Sequence, residues 1–182
     1  MLFSTLALTV VLGLPPQETK PVPPLDLLRA ARAWERSARR GHPAAAYRWG
    51  LAQAEGNGVP RDPAGALLAL EAALADRGSE GKNWRASAMT AIALLLEERA
   101  GPGDLERAAA RVDEVQLDVE RGSAYGADWA LLEYLARTGR GDVEERRARA
   151  RVLLRAWQLA HPVRLTREVP RFRVVLDFLG ED

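Results

Sequence analysis

A chain of 182 residues, 47% of them hydrophobic, is long enough to build one domain around a buried core. A formal net charge of +1 offers no field to gather a phosphate backbone or an anionic membrane, so nucleic acid is excluded as an expected partner. The absence of cysteine excludes disulfides, thiolate metal sites and cysteine nucleophiles. Much of the hydrophobic share is alanine, and Val, Ile and Thr are sparse beyond the first dozen residues, which predicts an all-α fold.

In chain order, "LFSTLALTVVLGL" (Leu2 to Leu14) is an apolar run followed by the Pro-rich "PPQETKPVPP". The pattern reads as a signal peptide over residues 1–14 and a linker over 15–25, so export to the periplasm or beyond is expected. A helix of that length covers about 20 Å of a hydrocarbon core of about 30 Å, so membrane association is expected only through an uncleaved N-terminal segment.

Asp26, Asp62, Asp104 and Asp142 then each open a stretch of helical periodicity, at separations of 36, 42 and 38 residues. The last three follow turns, "GNGVPR", "GPG" and "GRG". Aspartate in this setting predicts a helix N-cap, its carboxylate accepting from free N–H groups of the first turn at the positive end of the dipole. Pro63 fits a first helical position, and Glu145 would form a capping box with Asp142. Four residues after the first three aspartates stand Ala30, Ala66 and Ala108, small side chains where two helices would approach closely; the fourth copy has Arg146.

Each capped helix is preceded by another apolar-periodic stretch: Pro43 to Glu55, Trp84 to Arg99 and Gly126 to Arg137. The unit is helix, turn, helix. One such hairpin leaves apolar surface uncovered, so stacking predicts a short α-solenoid of antiparallel helical hairpins over residues 26–162. Beyond it, Phe172, Val175 and Phe178 predict a C-terminal capping helix within 163–182 that ends at Gly180. Arg146, Arg147, Arg149 and Arg151 would form the polar outer face of the last repeat.

Catalytic signals are few. His42 and His161 both precede proline at helix junctions, with no second ligand at metal spacing. "DRGSEGKN" (Asp76 to Asn83) has Asp and Asn where a phosphate loop needs Gly and Ser or Thr. The acidic pairs Glu97/Glu98 and Glu144/Glu145 are adjacent residues, about 100° apart on a helix, and do not face each other across a substrate. The expectation is therefore no enzyme, no catalytic residue, no metal and no cofactor. Trp34, Trp49 and Trp157 sit in apolar stripes and are expected in the core.

The stretch "AARAWERSARRGHPAAAYRWGLAQAEGNGVPRDPAGALLALEAALADRG" resembles the Sel-one-like repeat, a relative of the tetratricopeptide repeat. Ala30, Ala33, Trp34, Ser37, Ala38 and Gly41 resemble the family's second helix, and His42 and Pro43 its link to the next hairpin. Ala45, Gly50, Gly56, Gly58, Val59, Asp62 and Ala66 carry the likeness through one repeat, strongly from Asp26 to Gly78 and loosely from Trp84 to about Ala160. The resemblance implies a right-handed solenoid that acts as a scaffold or adaptor, binding another protein or a peptide in a concave groove. First helices line that groove in the family, which singles out Arg48, Trp84, Trp129, Glu133 and Tyr134 as protein-binding candidates. Two alternatives stand beside it: a structural or regulatory subunit of an envelope complex, and a hydrolase with a carboxylate site in the groove.

Overall fold

The computed structural model describes residues 24–75, 84–122, 126–161 and 165–180. The expected signal peptide, residues 15–23 of the expected linker and the loop at 76–83 lie outside the described residues. Among the described residues the chain is all-helical, with eight helices and no strand: α1 (Pro24–Arg39), α2 (Pro43–Glu55), α3 (Pro63–Ala75), α4 (Arg85–Arg99), α5 (Asp104–Arg121), α6 (Ala127–Arg137), α7 (Val143–Ala160) and α8 (Pro170–Leu179). None of them is long and apolar enough to cross a membrane.

Contacts divide the helices into two rows. Each even-numbered helix packs against an odd-numbered neighbour in sequence, α2 on both α1 and α3, α4 on α5, and α6 on α7. The even-numbered helices also meet one another, α2 with α4, α4 with α6, and α6 with α8. The odd-numbered row is joined at its rim: Arg111 of α5 reaches Glu71 of α3 at 2.9 Å, and Arg149 of α7 donates to Gln116 of α5.

Close approach between the rows rests on small side chains. Ala31, Ala66, Ala108 and Ala150, one in each of α1, α3, α5 and α7, have no exposed surface. On the opposing side a Cβ added to Gly50 would come within 2.7 Å of Leu70 and 3.2 Å of the Ala66 carbonyl. Ala30, expected at the closest approach in α1, is only half-buried, and the next residue takes that place. The buried stripe follows the helix axis, and α1 starts at Pro24, before the aspartate from which the spacing was counted.

The four aspartates divide in the same way. Asp62 accepts from the Gly65 N–H at 2.9 Å, and Asp142 from the Glu145 N–H at 2.8 Å, each at the start of its helix. Asp26 lies in the first turn of α1 rather than before it, so the linker boundary at 25 also moves back. Asp104 is the first residue of α5, preceded by Gly103 in the left-handed conformation, and its side chain turns backward. There it accepts from Arg99 Nε at 2.6 Å and from the Gly101 N–H at 2.9 Å, stapling the α4–α5 turn instead of capping α5.

Of the four arginines expected on the outer face, Arg149 and Arg151 are exposed, whereas Arg146 and Arg147 are half-buried, and three of the four reach helix ends. Arg146 donates to the Leu135 carbonyl at 2.8 Å and to the Thr138 carbonyl, Arg147 to the Phe178 carbonyl at 2.9 Å, and Arg151 to the Leu179 carbonyl at 3.4 Å. The last carbonyls of a helix have no partner within it, and guanidinium groups satisfy them at the ends of α6 and α8. These bonds tie α7 to both α6 and α8, and α8 itself packs chiefly on α6 and continues the even-numbered row.

The Arg99 guanidinium, with the Gly101 N–H and the nearby Arg107, holds the Asp104 carboxyl down to about 2 from 3.8. A depressed folded-state pKa stabilises above the unfolded value and loses that contribution as pH falls through the folded one. Asp104→Asn should therefore lower the thermal midpoint at neutral pH. Its deficit against the parent should close between pH 3.8 and about 2.

Candidate functional site

The even-numbered helices share a cavity of about 720 Å³ to which no odd-numbered helix contributes. Helical spacing decides which residues reach it. Tyr47, Leu51 and Ala54 come from α2 and Ala91, Leu94 and Leu95 from α4, while Tyr134 comes from α6 and Pro170 and Val174 from α8. Together they make a largely apolar floor that crosses four helices. Glu55, Arg61, Glu98, Glu133, Arg137 and Arg173 form the charged rim.

Most of that rim is internally paired. Arg61 bonds Glu98 and also donates to the Ala54 carbonyl at 3.0 Å, tying the α2–α3 turn to α4. The hydrogen bond from Arg61 holds the Glu98 carboxyl below its usual range. Arg137 lies 3.8 Å from Glu55 across the groove. Glu133 accepts from Trp129 Nε1 at 2.9 Å. Arg173 is exposed and has no ion-pair partner among the described residues.

At the centre, the Tyr134 hydroxyl donates to Glu97 Oε1 at 2.6 Å, and Thr138 Oγ1 donates to Glu97 Oε2 at 2.7 Å. One carboxylate thus fastens α6 to α4. Burial first, and then the hydrogen bond to Glu97, push the Tyr134 hydroxyl up to about 12. A phenol beside a carboxylate resists becoming a second anion.

Of the five residues singled out from the sequence, Glu133 and Tyr134 line the cavity. Trp84 stands at the start of α4 outside the lining and stacks on Tyr47 at 5.4 Å, supporting the floor from behind. Arg48 is exposed on α2, outside the lining, with its guanidinium 6.0 Å from the Trp34 ring of α1. Trp129 is a core residue, 2% exposed, with Trp157 at 4.8 Å and Phe172 at 4.9 Å. Its polar neighbour Glu133 suggested an exposed position, but that carboxylate serves the indole N–H while α7 and α8 cover the ring. Trp34, Trp49 and Trp157, expected in the core, are half-buried.

The sequence reading passed over Tyr47, Leu51, Leu94 and Arg173. The signal available was spacing: 47, 51 and 54 on α2 and 87, 91, 94 and 98 on α4 each follow one face. Among the described residues no group of three or more His, Cys, Asp or Glu is arranged to hold a metal ion. Comparison with known proteins finds no matching family model, no similar curated protein and no similar solved structure.

Two measurements test this geometry. Trp129→Ala should cost about 3–5 kcal/mol in urea unfolding, as expected for a buried tryptophan rather than a groove residue. In an alkaline absorbance titration, Tyr134→Phe should delete a phenolate step near pH 12.

Proposed function

We propose that this chain is a non-enzymatic protein-interaction scaffold: a short right-handed α-solenoid of stacked antiparallel hairpins that holds a peptide, or a segment of a larger protein, across its even-numbered helices. The observation that carries this reading is the continuous apolar floor crossing α2, α4, α6 and α8 beneath a mostly paired rim. Contact along the even-numbered row, with side-chain links from α3 to α5 and from α5 to α7, supports the solenoid, and the resemblance to the Sel-one-like repeat over residues 26–78 agrees with it.

Apolar side chains of the partner would fill the floor, displacing water from Leu51, Leu94 and Val174. Arg173, without an ion-pair partner among the described residues, offers a guanidinium fork to a carboxylate on the partner. The preferred occupant is an extended or helical segment with apolar residues beside an Asp, a Glu or a free C-terminus.

The rim argues against acid–base catalysis. Glu55 and Glu98 face arginines, Glu133 accepts the indole N–H, and Tyr134 stays protonated far above neutral pH. A glycosidase-type pair would need one carboxyl raised by an apolar or like-charged setting. Export, which rests on the apolar run at residues 1–14, belongs to the same proposal.

The test is crosslinked capture from the native cell with full-length tagged chain, followed by binding of the recovered partner's segments as synthetic peptides. Leu94→Arg, which fills the floor, and Arg173→Glu, which reverses the free charge, should each weaken binding about tenfold or more with unchanged circular dichroism. Binding that both variants leave intact would place the partner elsewhere and end this reading.

A further inference from the structure

The odd-numbered helices turn a second face to solvent, and the groove uses none of it. The middle of that face is α3, whose outward row is uncharged: Ala64, Leu68 and Ala72 are exposed, Leu68 at 76%. On one side lies α1. The turn that leads into α3 packs on it: a Cβ added to Gly58, five residues before α3, would come within 2.5 Å of the Leu27 backbone. On the other side lies α5, joined to α3 through Glu71 and Arg111.

The two flanks carry opposite charge. Arg29, Arg32 and Arg36 follow the outer side of α1 and are all exposed. Glu106, Asp113 and Glu120 follow the outer side of α5 at seven-residue spacing and are exposed as well. Arg32, Arg36, Glu106 and Asp113 have no ion-pair partner among the described residues, whereas Glu71, Arg107 and Arg111 between the helices are engaged with one another. The acidic row spans about 20 Å and the basic row about 10 Å at 1.5 Å rise per residue, so every arginine falls within reach of the acidic row.

We propose that this face is the interface of a homodimer whose twofold axis runs along α3. Rotation about that axis lays α3 on its own copy, Leu68 against Leu68, and brings α1 of each chain onto α5 of the other. Twofold contacts demand a self-complementary patch, and a basic row and an acidic row on either side of an apolar line satisfy that demand. The same arrangement disfavours an anionic lipid surface, which Glu106, Asp113 and Glu120 would repel. The dimer leaves both grooves open and is independent of the groove's role.

Sedimentation of the full-length chain at low salt should show a dimer that weakens as ionic strength rises. Leu68→Glu, at a position too exposed to disturb the fold, should weaken it about tenfold or more. The decisive experiment uses two charge-reversed chains. Arg32→Glu with Arg36→Glu makes both flanks acidic, and Glu106→Arg with Asp113→Arg makes both basic, so each should be monomeric alone. Mixed, they should form a one-to-one heterodimer, because α1 of each then meets an opposite charge on α5 of the other. A parent chain that stays monomeric at micromolar concentration, a dimer indifferent to Leu68→Glu, or reversed chains that do not pair on mixing would each overturn the proposal. So would binding to anionic vesicles by a monomeric parent chain.

Discussion

Closest approach at alanine is the constraint on which the rest of this structure depends. Ala31, Ala66, Ala108 and Ala150, one in each odd-numbered helix, have no exposed surface, and the last three pack into the cores built with the even-numbered helices. A larger side chain at such a contact would push the helices apart or force neighbours off their rotamers. Gly50 answers Ala66 from α2 with no side chain at all. Tight spacing here leaves the larger residues, Leu70, Ile92 and Leu96, to fill the space above and below each contact. Toward the C-terminus the layers are filled instead by Trp129, with Trp157 and Phe172 packed around it.

Polar groups then set how the hairpins are joined. Three turns are held by two devices: aspartate caps at Asp62, with Gln53 behind it, and at Asp142, and the Asp104 staple to Arg99 and Gly101. Arginine does the remaining work at helix ends, where Arg146, Arg147 and Arg151 take the carbonyls that no backbone N–H can reach. All three stand on α7 and fasten it to the ends of α6 and α8, while the packing of α8 on α6 extends the even-numbered row by one helix. The groove owes its fourth wall to this contact, because Pro170, Arg173 and Val174 line it from α8.

Two faces follow from two rows. The even-numbered helices present an apolar channel whose charges largely cancel in pairs, which suits a partner that brings its own apolar side chains. The odd-numbered helices present rows of unlike charge on either side of the uncharged outer row of α3, which suits a copy of the same chain. Glu97, clamped between Tyr134 and Thr138, ties α4 to α6 beneath the first face.

Composition and spacing sufficed for the all-helical fold, for α2 and the extents of α4 and α6 to within one residue, for the end of α8 at Gly180, and for the caps at Asp62 and Asp142. These are local matters: apolar periodicity, a proline at a first helical position, a glycine beyond a last one. Two of the five residues that the resemblance singled out, Glu133 and Tyr134, line the cavity on one face of α6 with Arg137. The burial of Trp129 was not legible in the sequence, since it depends on α7 and α8 closing over α6 from later in the chain. Nor could spacing foresee that Asp104 would turn back to Arg99, because a carboxylate beside a helix start serves a cap or a guanidinium equally well until the turn geometry is set. Thus the sequence by itself determined the helices and their order, through interactions within a turn or two; only the tertiary structure decided which faces remain open, since burial depends on residues far apart in the chain.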